Sequence, residues 1–403
     1  MLKKSCLLAA ISVLSISTPA MAGVGDPIPL GDDLVMDITA NARVRYETVD
    51  QDNALGNADA LTVRARVGAT FSAWGIQMLV EGEGTTALVD DFNDTLPGNG
   101  VEPFSVVADP DNLELNRAQI SYMKDGSGIT LGRQRIIMGN ARFVGNVGWR
   151  QNEQTFDAVR AQAKLGVVNF DGVYATSNRT IFGVDSPNEH FDGDMFLLNA
   201  GLDLEAVDVT AFAYILEFDT RAAFSSETFG LTASTAIPLG STNVTLSATY
   251  ATQSDADLNP ANYTADFISV TAGVGVAGFN LSANYEELGS DGGVAAFQTP
   301  LATLHAFQGW ADIFLTTPAA GVRDYNASIA RQFALPGIGN VNAAVAYHKF
   351  ESDFGSVSYG SEWDASLGFR LAGVGMLLKY ANYNSSGFSV DTQKLWLQAE
   401  FGF

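Results

Sequence analysis

The chain has 403 residues, of which 17% are charged, with 40 Gly and only 12 Pro. Charged content is below the ~25% of soluble domains and mean hydropathy is +0.09, yet past the N-terminus no apolar run reaches ~18–20 residues, which excludes a helical membrane protein. Hydrophobic residues at 47% exclude a disordered chain, and a formal net charge of −23 argues against nucleic acid, whose phosphates demand Lys and Arg.

Residues 1–22 read as a secretory leader. Lys3 and Lys4 form its basic start, Leu7 to Ile16 its apolar middle, and Ala20-Met21-Ala22 a small-x-small cleavage site. Residues 23–403 are then one mature domain, more acidic still without the two lysines. Cys6, the one cysteine, lies in the leader, so neither a disulfide nor thiolate chemistry is expected.

Period-two alternation runs through the rest. Val244, Leu246, Ala248 and Tyr250 interleave with Thr245, Ser247 and Thr249. Ile268 to Val276 and Phe279 to Glu286 repeat the pattern, with one apolar and one polar face over ~10 residues, the length of a tilted membrane-crossing strand. Eighteen such segments fall at 35–47, 59–71, 75–84, 114–123, 128–135, 156–165, 167–176, 194–204, 206–218, 225–236, 242–252, 262–276, 278–287, 322–335, 341–350, 359–371, 374–384 and 392–403. Connections after even-numbered segments are short turns, such as Ser72-Ala73-Trp74 and Leu371-Ala372-Gly373. Those after odd-numbered segments include 85–113, 136–155, 177–193 and 288–321. This asymmetry is that of an all-β, transmembrane antiparallel up-and-down barrel, with short periplasmic turns and long extracellular loops. Eighteen strands place both termini in the periplasm; sixteen, one hairpin fewer, is the alternative count. The last segment closes on Leu395, Leu397, Ala399, Phe401 and Phe403 outward, resembling the assembly signal of bacterial outer-membrane proteins, so the barrel-assembly machinery is an expected partner.

Arg43 and Arg45 share one strand face, as do Arg64 and Arg66. A lipid-facing Arg costs ~2–4 kcal/mol near the bilayer midplane, so these four are expected inside. Twelve of the 22 basic residues lie between Arg43 and Lys164, among them Arg117, Arg133, Arg135, Arg142, Arg150 and Arg160. Two readings stand open: a structural ladder neutralised by Asp37, Glu81 and Glu83, or an anion-attracting strip in a wet pore. Most surplus acids, including Asp90, Asp91, Asp94, Asp109, Asp111, Asp185, Glu189 and Asp192, are expected in external loops. Such loops suit lipopolysaccharide contact through divalent cations, but Asp109-Pro110-Asp111-Asn112 lacks the Gly and closing Glu of a calcium loop and is read as a solvated loop.

Two segments break the alternation: 132–157, rich in Gly, Arg and Asn, and 297–324, with Leu301, Leu304, Phe307, Trp310 and Phe314 at near-helical spacing. So much apolar surface is not left in water. These segments are expected to fold onto the rim or into the lumen, narrowing a channel or sealing its mouth. GRQRIIMGNARFVGNVGWRQNEQTFDAVR (Gly132 to Arg160) and TPLATLHAFQGWADIFLTTPAAGVRDY (Thr299 to Tyr325) resemble the alginate-export family of outer-membrane porins. The resemblance implies an 18-stranded monomeric barrel and a lumen whose arginines contact uronate carboxylates, a role it extends to Arg133, Arg135 and Arg150. Face and sign alone place Arg43, Arg45, Arg64, Arg66, Arg117 and Arg160 along the same pore.

The leading functional reading is therefore passive transport of hydrophilic solutes, anionic saccharides such as oligouronates being the favoured class if the arginines are unpaired. A weakly selective general porin is the alternative, and a loop-closed structural barrel a third. Enzymatic chemistry is not expected. His190, His305 and His348 are the only histidine bases; each reads as a surface or rim residue, and no two have metal-ligand spacing. No cofactor is called for.

Overall fold

The computed structural model describes residues 26–403 apart from 241 and 257; the leader read at 1–22 lies outside them. Eighteen antiparallel strands form one closed barrel. They are β1 (Val35–Gln51), β2 (Ala58–Ala73), β3 (Ile76–Asp91), β4 (Asn112–Lys124), β5 (Ser127–Gln134), β6 (Thr155–Leu165), β7 (Val168–Arg179), β8 (His190–Asp203) and β9 (Asp208–Phe218). The second half comprises β10 (Ser226–Leu239), β11 (Thr242–Asp255), β12 (Thr264–Val276), β13 (Phe279–Leu288), β14 (Val322–Leu335), β15 (Gly339–Glu351), β16 (Ser358–Leu371), β17 (Val374–Ser385) and β18 (Thr392–Gly402). A two-residue strand, Ile28–Pro29, adds to the start of β1.

Closure is made by the two ends of the chain. β18 pairs with β1 from Thr392 opposite Gln51 to Gly402 opposite Asn41. Ala40 and Phe403 then exchange backbone hydrogen bonds at 3.1 and 2.9 Å. Phe403 therefore extends the seam, and among the described residues no barrel edge is left unpaired.

Local chemistry sets the hairpins. Four short turns have positive φ at both central residues: Trp74-Gly75, Asp125-Gly126, Ala277-Gly278 and Ala372-Gly373. This is the type I′ turn, whose twist matches the flanking strands and whose second position suits Gly. Such a turn locks the register, and a register slip of one residue would exchange lipid and lumen faces. The outward face is apolar as expected, with Val44, Val67, Leu246, Val270 and Leu397 exposed to the bilayer side. Near the long-loop end of that face, tyrosines hydrogen-bond carboxylates on or beside their strand: Tyr174 to Asp194 at 2.6 Å, Tyr250 to Asp266 at 3.0 Å, Tyr46 to Asp59 and Tyr285 to Glu287. An aromatic ring with its hydroxyl satisfied suits the border between hydrocarbon and headgroups.

Several strands outrun the sequence expectation, three of them by four residues or more, and β1 ends at Gln51 and not at 47. β3 continues to Asp91, beyond the expected end at 84, and β8 begins at His190 and not at 194. In both places the backbone ladder runs on after the apolar alternation has stopped, so hydropathy ends the strand too early. The lumen face also departs from a uniformly polar lining. Phe212, Tyr214, Leu216, Phe218, Met195, Leu197, Phe156 and Phe267 are buried inside, while Tyr174 and Phe170 face out. This inner apolar surface is what the inserted loops cover.

Candidate functional site: two loops inserted into the barrel

The 135–154 and 289–321 loops turn into the barrel and pack on each other. The Gly145 amide donates to the Leu301 carbonyl at 2.8 Å and the Thr303 amide to the Ala141 carbonyl at 3.0 Å. Gln154 Nε2 ties both backbones together, donating to the carbonyls of Gly145 at 2.7 Å and Leu301 at 2.9 Å. Contact at Gly145 is so close that a Cβ would meet Thr303 Oγ1 at 2.2 Å. Phe143 inserts between Phe212 and Phe267, with centroids 4.9 and 5.1 Å away, while Phe314 packs on Phe350 at 4.7 Å and Phe388 at 5.5 Å. The near-helical spacing of 301–314 yields only one 3-10 turn, Leu304–Ala306. Its apolar residues are distributed to several walls of the barrel, which irregular backbone permits and a straight helix does not.

The walls carry charge in blocks. β17, β18, β1 and β2 present Lys379, Lys394, Arg43, Arg45, Arg64 and Arg66 inward with Glu47 and Glu400 set among them, whereas β13 to β16 present Glu286, Asp324, Glu362 and Asp364. The loops bring complementary groups to each block. Arg43 Nη1 donates to the carbonyls of Gly148, Trp149 and Arg150 at 3.1 to 3.2 Å. Arg45 Nη2 donates to the Trp149 carbonyl at 2.6 Å, and its guanidinium lies 4.0 Å over the Trp149 ring. On the acidic block, Arg142 pairs with Glu286 at 3.0 Å and the Ala311 amide donates to Glu362 at 2.8 Å. Asp312 pairs with Lys394 at 2.9 Å. The loops are held by charge-assisted hydrogen bonds in a site from which water is largely excluded, the setting in which such bonds are strongest.

Burial and pairing act in opposite directions on the loop carboxylates, and pairing wins. Burial would raise Glu153, but Arg66 and Arg135 hold it well below the usual carboxylate range. Asp312 is likewise held far down against its burial by His305 and Lys394. Arg150 would be lowered by burial, yet Glu47 and Asp109 keep it above its ordinary value. All three stay ionised at neutral pH.

The nine arginines singled out from sequence separate into three groups. Arg43, Arg45, Arg64, Arg66 and Arg150 do face the lumen, but their side chains are at most 10% exposed: Arg43, Arg45 and Arg66 donate to carbonyls of the 135–154 loop, Arg150 belongs to that loop, and Arg64 is buried with Asn41 and Glu400. Arg117, Arg135 and Arg160 also face inward and keep 19%, 30% and 18% exposure. They pair with Glu81 at 2.6 Å, with Glu153, and with Asp171 at 2.5 Å. Arg133 is a correction. It stands on the same face of β5 as the exposed Ile129 and Leu131, and pairs with Asp157, which shares the face of exposed Val159. Arg133 therefore points out of the barrel. It lies one residue from the loop end of β5, where the cost of a charge falls towards zero, and Asp157 at 2.8 Å neutralises it.

Between the two open readings of the arginines, the geometry is that of the ladder. Glu81 and Glu83 pair with Arg117 and Arg66 as expected. Asp37 takes part in none of the ion pairs among the described residues; it sits opposite Thr70. Glu400 bridges Arg43 and Arg64 at 3.1 and 3.2 Å instead. Asp109, expected in an external loop, is buried against Arg45 and Arg150 at 3.8 and 3.6 Å and accepts from the Gln151 amide at 2.8 Å. The histidines also need correcting. His190 remains near the rim, but His305 and His348 are buried, the latter between Asp324 at 2.9 Å and Asp364 at 3.6 Å.

Sequence reading missed Lys379, Lys394, Glu286, Asp324, Glu362 and Asp364. Their signal was parity alone. Lys379 lies between Leu378 and Tyr380, and Glu362 and Asp364 flank Trp363, so each apolar neighbour on the lipid side turns the charged residue inward. No local feature marks which loop atoms would meet them.

The fold is that of an outer-membrane porin. The sequence profile of the family described as alginate export matches residues 36–179, and no curated protein matches the chain. Among solved structures, Pseudomonas aeruginosa OccK9 (OpdG) superposes with a TM-score of 0.71 at 15% identity, covering 91% of this chain and 98% of its own. Acinetobacter baumannii OccAB3 gives 0.70 at 12% identity, covering 91% and 99%. P. aeruginosa OpdK, solved with vanillate, gives 0.69 at 11% identity, covering 91% and 98%.

Proposed function

We propose that the protein is a passive outer-membrane channel for small hydrophilic solutes, oriented with its short turns in the periplasm and functioning as a monomer. The observation that carries this is the division of the barrel surface. Its outer face is apolar, while below the inserted loops the inner wall is lined by Thr232, Ser247, Thr249, Ser269, Thr271, Asn284 and Ser328. A barrel of this strand number is too wide for side chains alone to fill, so that polar wall encloses water. Selection then acts at the constriction, by width and by the opposed charge blocks.

A narrower reading concerns anionic solutes. The matched alginate-export profile and a fold neighbour solved with vanillate, itself a carboxylate, both support it. So does the partial exposure of Arg117, Arg135 and Arg160. Against it stands the pairing of each of these with an acid, which favours weak selectivity. Planar-bilayer conductance under a salt gradient, followed by oligouronate on one side, decides between them. An anion-selective reversal potential with oligouronate block supports the narrower reading. Weak selectivity without block leaves the general channel, and no conductance from folded barrel refutes both.

A further inference from the structure

Lys379 stands out among the charged groups of the lumen because its ammonium contacts indoles and an imidazole. The Nζ atom lies 3.7 Å from the centroid of Trp310, 4.1 Å from Trp149 and 5.5 Å from Trp396, and 2.6 Å from His305 Nε2. Trp149 belongs to the 135–154 loop, His305 and Trp310 to the 289–321 loop, and Trp396 to β18. One side chain of β17 thus touches both inserted loops and the neighbouring wall strand. The rings also contact one another: Trp149 stacks on His305 at 4.4 Å and 7°, and both meet Trp396 edge-on at 5.6 Å.

The hydrogen bonds around it have a defined polarity. An ammonium only donates, so His305 Nε2 accepts, and the histidine proton lies on Nδ1, which donates to Asp312 Oδ1 at 2.7 Å. Asp312 Oδ2 in turn accepts from Lys394 at 2.9 Å. Two wall lysines therefore clamp a His-Asp pair of the loop from either end. A cation placed among indole faces in a site shielded from water is held more strongly than at a surface.

We propose that Lys379 is the positioning residue that locks both inserted loops to the barrel wall and so sets the width of the channel. This deepens the channel reading and rests on it only for the consequence on conduction. The lock itself is a statement about the loops. Removing the ammonium leaves Trp310 and Trp396 without their cation, Trp149 with Arg45 alone and His305 Nε2 without a donor, and the two loops lose a wall contact that they share.

The test uses Lys379→Met and Lys379→Arg in the full barrel, each also carrying Ala302→Cys as a reporter. Ala302 is buried in the 289–321 loop, and Cys6 is the only natural cysteine of the chain. Labelling of folded barrel by a membrane-impermeant maleimide is expected to accelerate at least ~10-fold in Lys379→Met, and to stay within ~3-fold of the parent in Lys379→Arg, which keeps the cation. Single-channel recordings of Lys379→Met without the reporter should show added wider substates. Unchanged labelling, or equal acceleration in both variants, overturns the proposal. Accelerated labelling in a barrel that never conducts upholds the lock and refutes the channel. If Lys379→Met does not fold, His305→Asn, which leaves every strand intact, must accelerate labelling in the same way, and failure to do so overturns the proposal equally.

Discussion

Replacing Arg45 by Met tests whether the wall arginines serve to hold the 135–154 loop. The Arg45 side chain is wholly buried, donates to the Trp149 carbonyl at 2.6 Å and covers the Trp149 ring at 4.0 Å. A hydrogen bond from a charged donor contributes about 1.5–3 kcal/mol, and a desolvated cation–π contact about 2 kcal/mol. Methionine fills much of the volume and escapes the cost of burying a guanidinium, which offsets part of the loss. Asp109 is not orphaned, since Arg150 and the Gln151 amide still reach it. The net expectation is about 1.5–3 kcal/mol against the docked loop, or roughly 10- to 100-fold in its opening equilibrium. Hydrogen exchange of folded barrel, followed on the peptide spanning 145–152, reads this directly. Protection there should fall by that factor while β10 to β13 keep theirs. Arg45→Lys, which retains charge but loses the planar fork, should fall between. Unchanged protection at 145–152, or a loss spread evenly over all strands, would refute the anchoring argument.

Gly309→Ala should displace the 289–321 loop, because Gly309 has φ +81° and a Cβ there would lie 2.4 Å from Glu362 Oε2; faster exchange at 305–312 checks it, and parental exchange would contradict it. Acid should loosen the same loop. Burial, with Lys379 and Arg150 adding to it against the opposing Asp312, drives His305 well below its usual value, and Asp312 is itself held low by His305 and Lys394. The undocked loop therefore binds more protons than the docked one, so docking weakens as pH falls below about 6.5 and further through the carboxylate range; exchange at 300–312 compared at pH 7.5 and 5 should show it, and a flat profile would count against the assignment. Arg133→Met should leave ion selectivity unchanged since the residue faces outward, whereas Arg117→Met, which frees Glu81 in the lumen, should shift the reversal potential towards cations; a shift of equal size in both variants would reverse the placement of Arg133.

Much of the barrel was legible in the chain because its information is local. Period-two alternation, Gly at the second position of the tight turns and a closing apolar strand each depend on residues a few positions apart, and eighteen strands follow from them. Parity also carried the facing of Arg43, Arg45, Arg64 and Arg66. The same signal was available for Arg133, between Leu131 on its face and Gln134 on the other, but its place in the lumen followed from the family resemblance, which weighs neither parity nor the cost of a lipid-facing charge at that depth. Near the end of β5 that cost is small, and Asp157 removes what is left of it.

Tertiary structure decided what the charges do. Whether an arginine binds solute or holds a loop depends on which groups are brought opposite it, and those lie far away in sequence: Glu400 for Arg43, the Trp149 carbonyl for Arg45, Glu286 for Arg142. The inner apolar face was hidden for the same reason. Phe212 and Tyr214 can face inward only because Phe143 comes to cover them. A strand's alternation fixes two faces, but which of them meets water, lipid or another part of the chain is settled when the barrel closes and its loops turn in, since only then is the environment of each face formed.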